Sequence, residues 1–209
     1  MNNASVKSAF LKNFSFLFLG LVLVQIINFI FSLVIPKYFQ PVEFAEFGIF
    51  TSIVFILIEI ANAKLDIAVM LGKNETETTE ILNAAFTITI VFFIILLLAE
   101  LLFLFFLLSI YLLIPFCVLL YGTHQPILVI LNKQENYTAI NLFRIIQVLS
   151  TCTITLVLGF QHIEHALVYG FIAGIAIATL FILKYIRPKI DLESTGKIWK
   201  TYDQFPKYA

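Results

Sequence analysis

The sequence predicts an all-α, polytopic membrane protein with six transmembrane helices. Three observations carry that expectation: an oily composition, long apolar runs almost free of charge, and basic residues gathered on one side. Of 209 residues 61% are hydrophobic and 12% charged, and the mean hydropathy is +1.00. Soluble domains carry about 25% charged residues, and 23 Phe exceed what a globule of this size hides from water. Lipid is therefore the expected solvent. The formal charge is zero, 13 basic against 13 acidic residues, which gives no bulk attraction to nucleic acid. Cys117 and Cys152 lie in apolar runs and read as unreactive core thiols.

A helix needs about 20 mostly apolar residues to cross roughly 30 Å of hydrocarbon at about 1.5 Å per residue. After an amino-terminal segment over about residues 1–13, the first such run covers about 14–35 and stops at Pro36-Lys37. The second covers about 46–71, introduced by Pro41 and ended by Gly72-Lys73-Asn74. Between Ile81 and Leu131 the only formal charge is Glu100, and the stretch is too long for one crossing. It divides into a third span over about 81–108, a turn near Ser109 to Ile114, and a fourth span over about 112–131. Pro115 and Pro126 flank Gly122-Thr123-His124-Gln125 in that fourth span, so a kinked or partly unwound helix is expected there. The fifth and sixth spans cover about 138–158 and 164–184, closing a membrane lobe over about 14–186 with a connector over 187–209. The first run is longer than the apolar stretch of a signal peptide. Runs such as Ile94-Ile95-Leu96-Leu97-Leu98 lack the alternation of a transmembrane β-strand.

Basic residues set the orientation. Lys7, Lys12, Lys73, Lys133, Lys184, Arg187, Lys189, Lys197, Lys200 and Lys207 fall on one side, and among the loops of the other only Lys37 does. Both termini are thus expected in the cytoplasm. The outer loops are short, and no extracellular domain is expected between spans.

Polar residues at membrane depth are costly and face a bundle interior or a wet cavity. Gln25, Asn28 and Ser32 recur at i, i+3, i+7 in the first span, and Glu59, Asn62 and Asp66 repeat that spacing in the second. Arg144, Gln147, Thr151 and Thr155 form a third stripe in the fifth. Lys64 and Arg144 each sit about 10 Å inside the cytoplasmic end of their spans at 1.5 Å per residue. They either snorkel to water or form a cationic lip that holds a phosphate, Arg144 in bidentate fashion and Lys64 as a point charge. Gln25, Asn28, Asn62 and Gln147 are candidate sugar-contacting groups, or interhelical glue. Glu59, Asp66 and Glu100 are candidates for ion coupling. Gly170-Phe171-Ile172-Ala173-Gly174 has the small-xxx-small spacing that lets helices approach closely. His162, Glu164 and His165 could hold a metal only weakly, and interfacial polar roles fit them better. The four Asn-x-Ser/Thr sites, at Asn3, Asn13, Asn74 and Asn136, fall on or near the cytoplasmic side, where glycosylation is not expected. Phosphate-binding loops, a nucleophile elbow and a zincin motif are all missing from the sequence, so neither enzymatic chemistry nor a cofactor is expected.

Four stretches in order resemble a family. They are Phe10-Leu11-Lys12-Asn13 leading to Gln25 and Asn28; Ile35-Pro36-Lys37-Tyr38-Phe39 with Pro41-Val42-Glu43-Phe44-Ala45-Glu46-Phe47-Gly48; Leu131-Asn132-Lys133-Gln134-Glu135-Asn136-Tyr137 before Arg144 and Gln147; and Trp199 to Tyr208. Together they look like the amino-terminal half of a bacterial polysaccharide flippase of the O-antigen and capsule type, in the multidrug and oligosaccharidyl-lipid transporter superfamily. The resemblance implies a multi-pass protein of the bacterial inner membrane that turns an undecaprenyl-diphosphate-linked oligosaccharide between leaflets by alternating access. It also implies a second, carboxy-terminal lobe that would begin where this sequence stops, and little transport by this lobe alone. A drug or cation antiporter of the same superfamily, a six-span enzyme of polysaccharide assembly and a structural membrane subunit are the alternatives.

Overall fold

The computed structural model describes residues 3–103 and 110–201. Among the described residues the chain is entirely helical: α1 (Asn3–Val34), a 3-10 turn (Ile35–Lys37), α2 (Pro41–Ala61), α3 (Leu65–Leu71), α4 (Glu75–Phe103), a 3-10 turn (Ile110–Leu113), α5 (Ile114–Lys133), α6 (Tyr137–Phe160), α7 (Ala166–Ile182) and α8 (Leu192–Thr201). The first residue of the turn expected over Ser109 to Ile114, the end of the third span and Tyr202 to Tyr208 lie outside the described residues.

Among the described residues five segments are long and apolar enough to cross a membrane: Ser15–Lys37, Pro41–Ala61, Glu75–Leu102, Ile110–Lys133 and Tyr137–Phe160. The chain is a polytopic membrane protein by that measure. The sixth expected span is shorter than its sequence run, because α7 has 17 residues. At its start His165 adopts a left-handed φ of 59°. Beyond its end, Tyr185 N–H closes a turn on the Ile182 carbonyl at 3.0 Å.

Several helices begin before their apolar runs, because capping satisfies amides that a hydropathy limit ignores. Pro41 is the first residue of α2, and the Gln40 N–H donates to Glu43 Oε2 at 2.8 Å. At α4, Asn74 Oδ1 accepts from Glu77 N–H at 2.8 Å while Glu77 Oε2 accepts from Lys73 N–H at 2.7 Å. The expected unwinding in the fourth span is not found, since α5 is helical throughout Ile114–Lys133. Pro115 falls in its first turn, where a missing N–H costs little.

The chain divides into two compact units. One comprises the chain up to Ala45 with Leu131–Phe181, and is built on α1, α6 and α7. Gly20 of α1 lies directly against the Asn141 side chain of α6, whose Nδ2 donates to the Phe16 carbonyl at 2.9 Å. Gly170 and Gly174 of α7 lie against Thr155 and Thr151 of α6, so the small-residue pair is a packing seam within this unit. Phe39 closes on Gly159, where a Cβ would sit 2.6 Å from Phe39 Cζ, and the Tyr38 and Phe160 rings are 4.5 Å apart. α6 and the helix before it end alike. His162 N–H donates to the Gly159 carbonyl and Ile163 N–H to Leu158, as Glu135 does to Asn132 and Asn136 to Leu131. Both are Schellman caps with a non-glycine residue in the left-handed position.

The second unit comprises Glu46–Ile130 and the chain from Ile182 onward, and α3 and α8 both pack on α4. Its core holds Val54, Leu65, Val69, Ile81, Val118 and Ile127. α5 approaches α4 where Gly122 leaves room for Thr89, whose Cγ2 would be 2.5 Å from an added Cβ. The connector after α7 is pinned to α4, for Asn83 Oδ1 accepts from Lys189 N–H at 2.9 Å and Thr87 Oγ1 from Asp191 N–H at 3.0 Å.

Asp191 then caps α8. Its carboxylate accepts from the Ser194 hydroxyl at 2.6 Å and the Ser194 N–H at 2.9 Å, and these bonds hold its pKa below the ordinary 3.8. A depressed folded-state pKa stabilises above the ordinary value, and the contribution is lost as pH falls through the lower folded value. Hydrogen exchange at the Ser194 and Thr195 amides is therefore expected to accelerate as pH drops below about 3.8 beyond its intrinsic pH dependence. Asp191→Asn, which keeps a capping acceptor, is expected to remove that excess.

Candidate functional site

The sequence-predicted site residues fall in both units. In the first, α1 is one unbroken helix, so Gln25, Asn28 and Ser32 do share a face. All three are exposed at membrane depth, and Ser32 is satisfied by its own helix, its hydroxyl donating to the Phe29 carbonyl at 2.7 Å. Gln25 and Asn28 thus present amide groups where hydrocarbon would surround the helix.

The stripe on α6 divides into two parts. Thr151 and Thr155 lie against α7 at Gly174 and Gly170 and belong to packing. Arg144 and Gln147, nearer the start of the helix, are half-buried. Arg144 has a buried Nη1 that no described residue accepts from. A buried, charge-bearing donor without an acceptor is strongly unfavourable, and it is relieved by an anion or a hydrogen-bonding ligand. Asn141, one turn before Arg144, was not among the residues the stripe suggested. Extending the i, i+3 spacing backwards from Arg144 reaches it. It is buried, and although its Nδ2 is bonded to α1, its Oδ1 is left without a donor.

In the second unit the expected continuous span over 46–71 is broken, and its stripe with it. α2 ends at Ala61 and α3 starts at Leu65. Ala63 and Lys64 have φ of 50° and 59°, and Leu65 N–H donates to the Asn62 carbonyl at 3.0 Å. Two left-handed central residues and that bond make a type I′ turn. Neither central residue is Gly, Asn or Asp, so no residue type signalled the turn. Each left-handed residue costs about 1–2 kcal/mol. The anchors on both sides explain why the chain accepts that: Ala61, Asn62 and Leu65 are all buried. Asp66 therefore leaves the face it would share with Glu59 and Asn62 in a straight helix.

The break also relocates Lys64, which sits in the turn rather than within a helix, its Nζ donating to Glu59 Oε2. Asn62 is 2% exposed and its Nδ2 has no acceptor. Among the described residues nothing donates to one buried carboxylate oxygen of Asp66 or to one of Glu100 on α4. Broken membrane helices expose backbone and side-chain groups of the kind that bind ions or polar substrates.

Among the described residues no group of three His, Cys, Asp or Glu side chains is placed to hold a metal ion. His162 and His165 both take left-handed φ, 53° and 59°, at the end of α6 and the start of α7. Cys117 and Cys152 are buried free thiols. Compared with known protein families, with curated proteins and with solved structures, the chain matches none.

Proposed function

We propose that this chain takes part in moving a polyprenyl-diphosphate-linked oligosaccharide across the bacterial inner membrane, as the amino-terminal lobe of a flippase. The observation that carries it is Arg144: a half-buried guanidinium inside a membrane span, whose buried Nη1 has no acceptor among the described residues. A diphosphate supplies the missing acceptor, and a planar guanidinium engages it in bidentate fashion. The exposed amides of Gln25 and Asn28 on α1, with Gln147, suit sugar hydroxyls. An amide face at membrane depth also calls for cover. A second helical lobe or the substrate itself provides it. Lys64 reaches a phosphate only once it leaves Glu59, so its part is secondary to that of Arg144. No bond is made or broken.

A direct test follows inner-to-outer transfer of a fluorescent polyprenyl-diphosphate sugar in cells or vesicles holding the intact transport system. Arg144→Gln is expected to lower transfer at least tenfold, Arg144→Lys to retain part of it, and Lys64→Gln to have the smaller effect. Unchanged transfer in Arg144→Gln sinks the assignment. Vesicles holding this chain as their sole protein are expected to show little transfer.

A specific observation favours the antiporter alternative. Asp66 and Glu100 each keep a buried carboxylate oxygen without a donor among the described residues, as a site awaiting a proton or sodium ion would. Cation efflux that depends on Asp66, Glu59 or Glu100, with lipid transfer unaffected by Arg144→Gln, is the result that selects it.

A further inference from the structure

The segment joining α7 to α8 carries chemistry that transport does not use. Residues 183–190 read Leu-Lys-Tyr-Ile-Arg-Pro-Lys-Ile, with three cations and no acid. Of the next two acids, Asp191 accepts from Ser194 and keeps its negative charge, and Glu193 is paired with Lys197 at 2.9 Å. Pinning to Asn83 and Thr87 fixes the depth of this segment. Glu80 is the last charge on α4 before its apolar run, and Asn83 and Thr87 lie three and seven residues beyond it. At 1.5 Å per residue that places the Lys189 and Asp191 backbone about 5 to 10 Å along α4 from its final charge, and with that charge among the headgroups the segment would lie at the boundary between headgroups and acyl chains. There the segment turns apolar side chains outward. Ile190 is 63% exposed and Leu192 74%, with Tyr185 also exposed. Lys184, Arg187 and Lys189 are exposed beside them.

We propose that this connector is a binding surface for anionic phospholipid headgroups, with Ile190 and Leu192 seated among the acyl chains and Lys184, Arg187 and Lys189 meeting the phosphates. An apolar pair at that depth is covered by lipid, and residues 184–191, with three cations and one acid, carry a net positive charge that selects lipid with net negative charge. The inference rests only on the chain lying in a bilayer and is independent of what, if anything, it transports. Failure of one therefore leaves the other standing.

The test places a fluorophore at Leu192→Cys, an exposed site, in the full chain. Cys117 and Cys152 are buried, so the new thiol labels selectively. The chain is reconstituted in phosphatidylcholine vesicles containing phosphatidylglycerol, with one lipid or the other brominated near the headgroup end of its acyl chains. Stronger quenching by brominated phosphatidylglycerol than by phosphatidylcholine at equal mole fraction is expected. Each of Lys184→Gln, Arg187→Gln and Lys189→Gln is expected to lower that preference about fivefold, since a juxtamembrane cation contributes about 1 kcal/mol. These variants keep the backbone amides that Asn83 and Thr87 accept from, so the segment stays docked. Equal quenching by both lipids overturns headgroup selection. Quenching by neither shows a segment facing water or another protein, and overturns the surface itself. A preference that survives all three substitutions removes the cations from it.

Discussion

Gly174→Leu is expected to lower the stability of the folded chain by about 3 kcal/mol or more, through forced separation of α7 from α6. An added Cβ would meet the Thr151 hydroxyl oxygen, and would also lie 2.8 Å from the Thr151 nitrogen and 2.9 Å from the Gln147 carbonyl oxygen. Hydroxyl contacts yield to a rotamer change; backbone ones do not. For that reason Thr151→Ala is expected to restore only a small part of what Gly174→Leu or Gly174→Ala removes. Ile177→Leu, on the same helix at an exposed position, serves as the control and is expected to be neutral. The measurement is the unfolding midpoint in mixed micelles of rising dodecyl sulfate content. An unchanged midpoint for Gly174→Leu would mean that the α6–α7 seam does not exist. On the transport role proposed above the loss would extend to lipid transfer, because Gln147 and Arg144 are held on the helix that α7 braces.

Ala63→Gly gives the second large effect, and its sign is diagnostic. If residues 46–71 formed one straight helix, glycine at position 63 would destabilise it by about 1 kcal/mol. In the type I′ turn that joins α2 to α3, Ala63 sits at φ 50°, where glycine pays no steric cost. Ala63→Gly is therefore expected to stabilise the chain by about 1 kcal/mol. Ala63→Val, which puts a β-branched side chain into the left-handed region, is expected to destabilise it by more than that. The same micellar unfolding assay reads both. A loss with glycine would establish a continuous helix and return Asp66 to the face of Glu59 and Asn62.

Which candidate residues share a helix face was partly legible in the sequence, and the part that was not has a common cause. The i, i+3, i+7 spacing of Gln25, Asn28 and Ser32 holds because α1 is unbroken. Spacing cannot tell a polar residue used in packing from one left open. Thr151 and Thr155 keep the same period as Arg144, yet what faces them is a pair of glycines on α7. Asn141 sits on α6 as a polar residue like any other until Phe16, 125 positions away, offers its carbonyl. Proline was also a poor guide to where a helix breaks. Pro126 lies inside α5, which remains helical, while the interruption comes at Ala63-Lys64, where neither residue is a helix breaker.

The sequence by itself determined the solvent, the helical class and nearly all of the spans. Those follow from local sums, the transfer of successive side chains into hydrocarbon and the need of every backbone amide there for an internal partner. Tertiary structure alone decided where the second span breaks, which described polar groups stay without partners and where on α4 the connector docks. Each of those outcomes depends on a group distant in sequence or on competition between packing anchors. Ala61, Asn62 and Leu65 are buried together at the expense of two strained residues, and Asn83 and Thr87 fix a connector more than a hundred positions away. No window sliding along the chain contains both sides of such a balance.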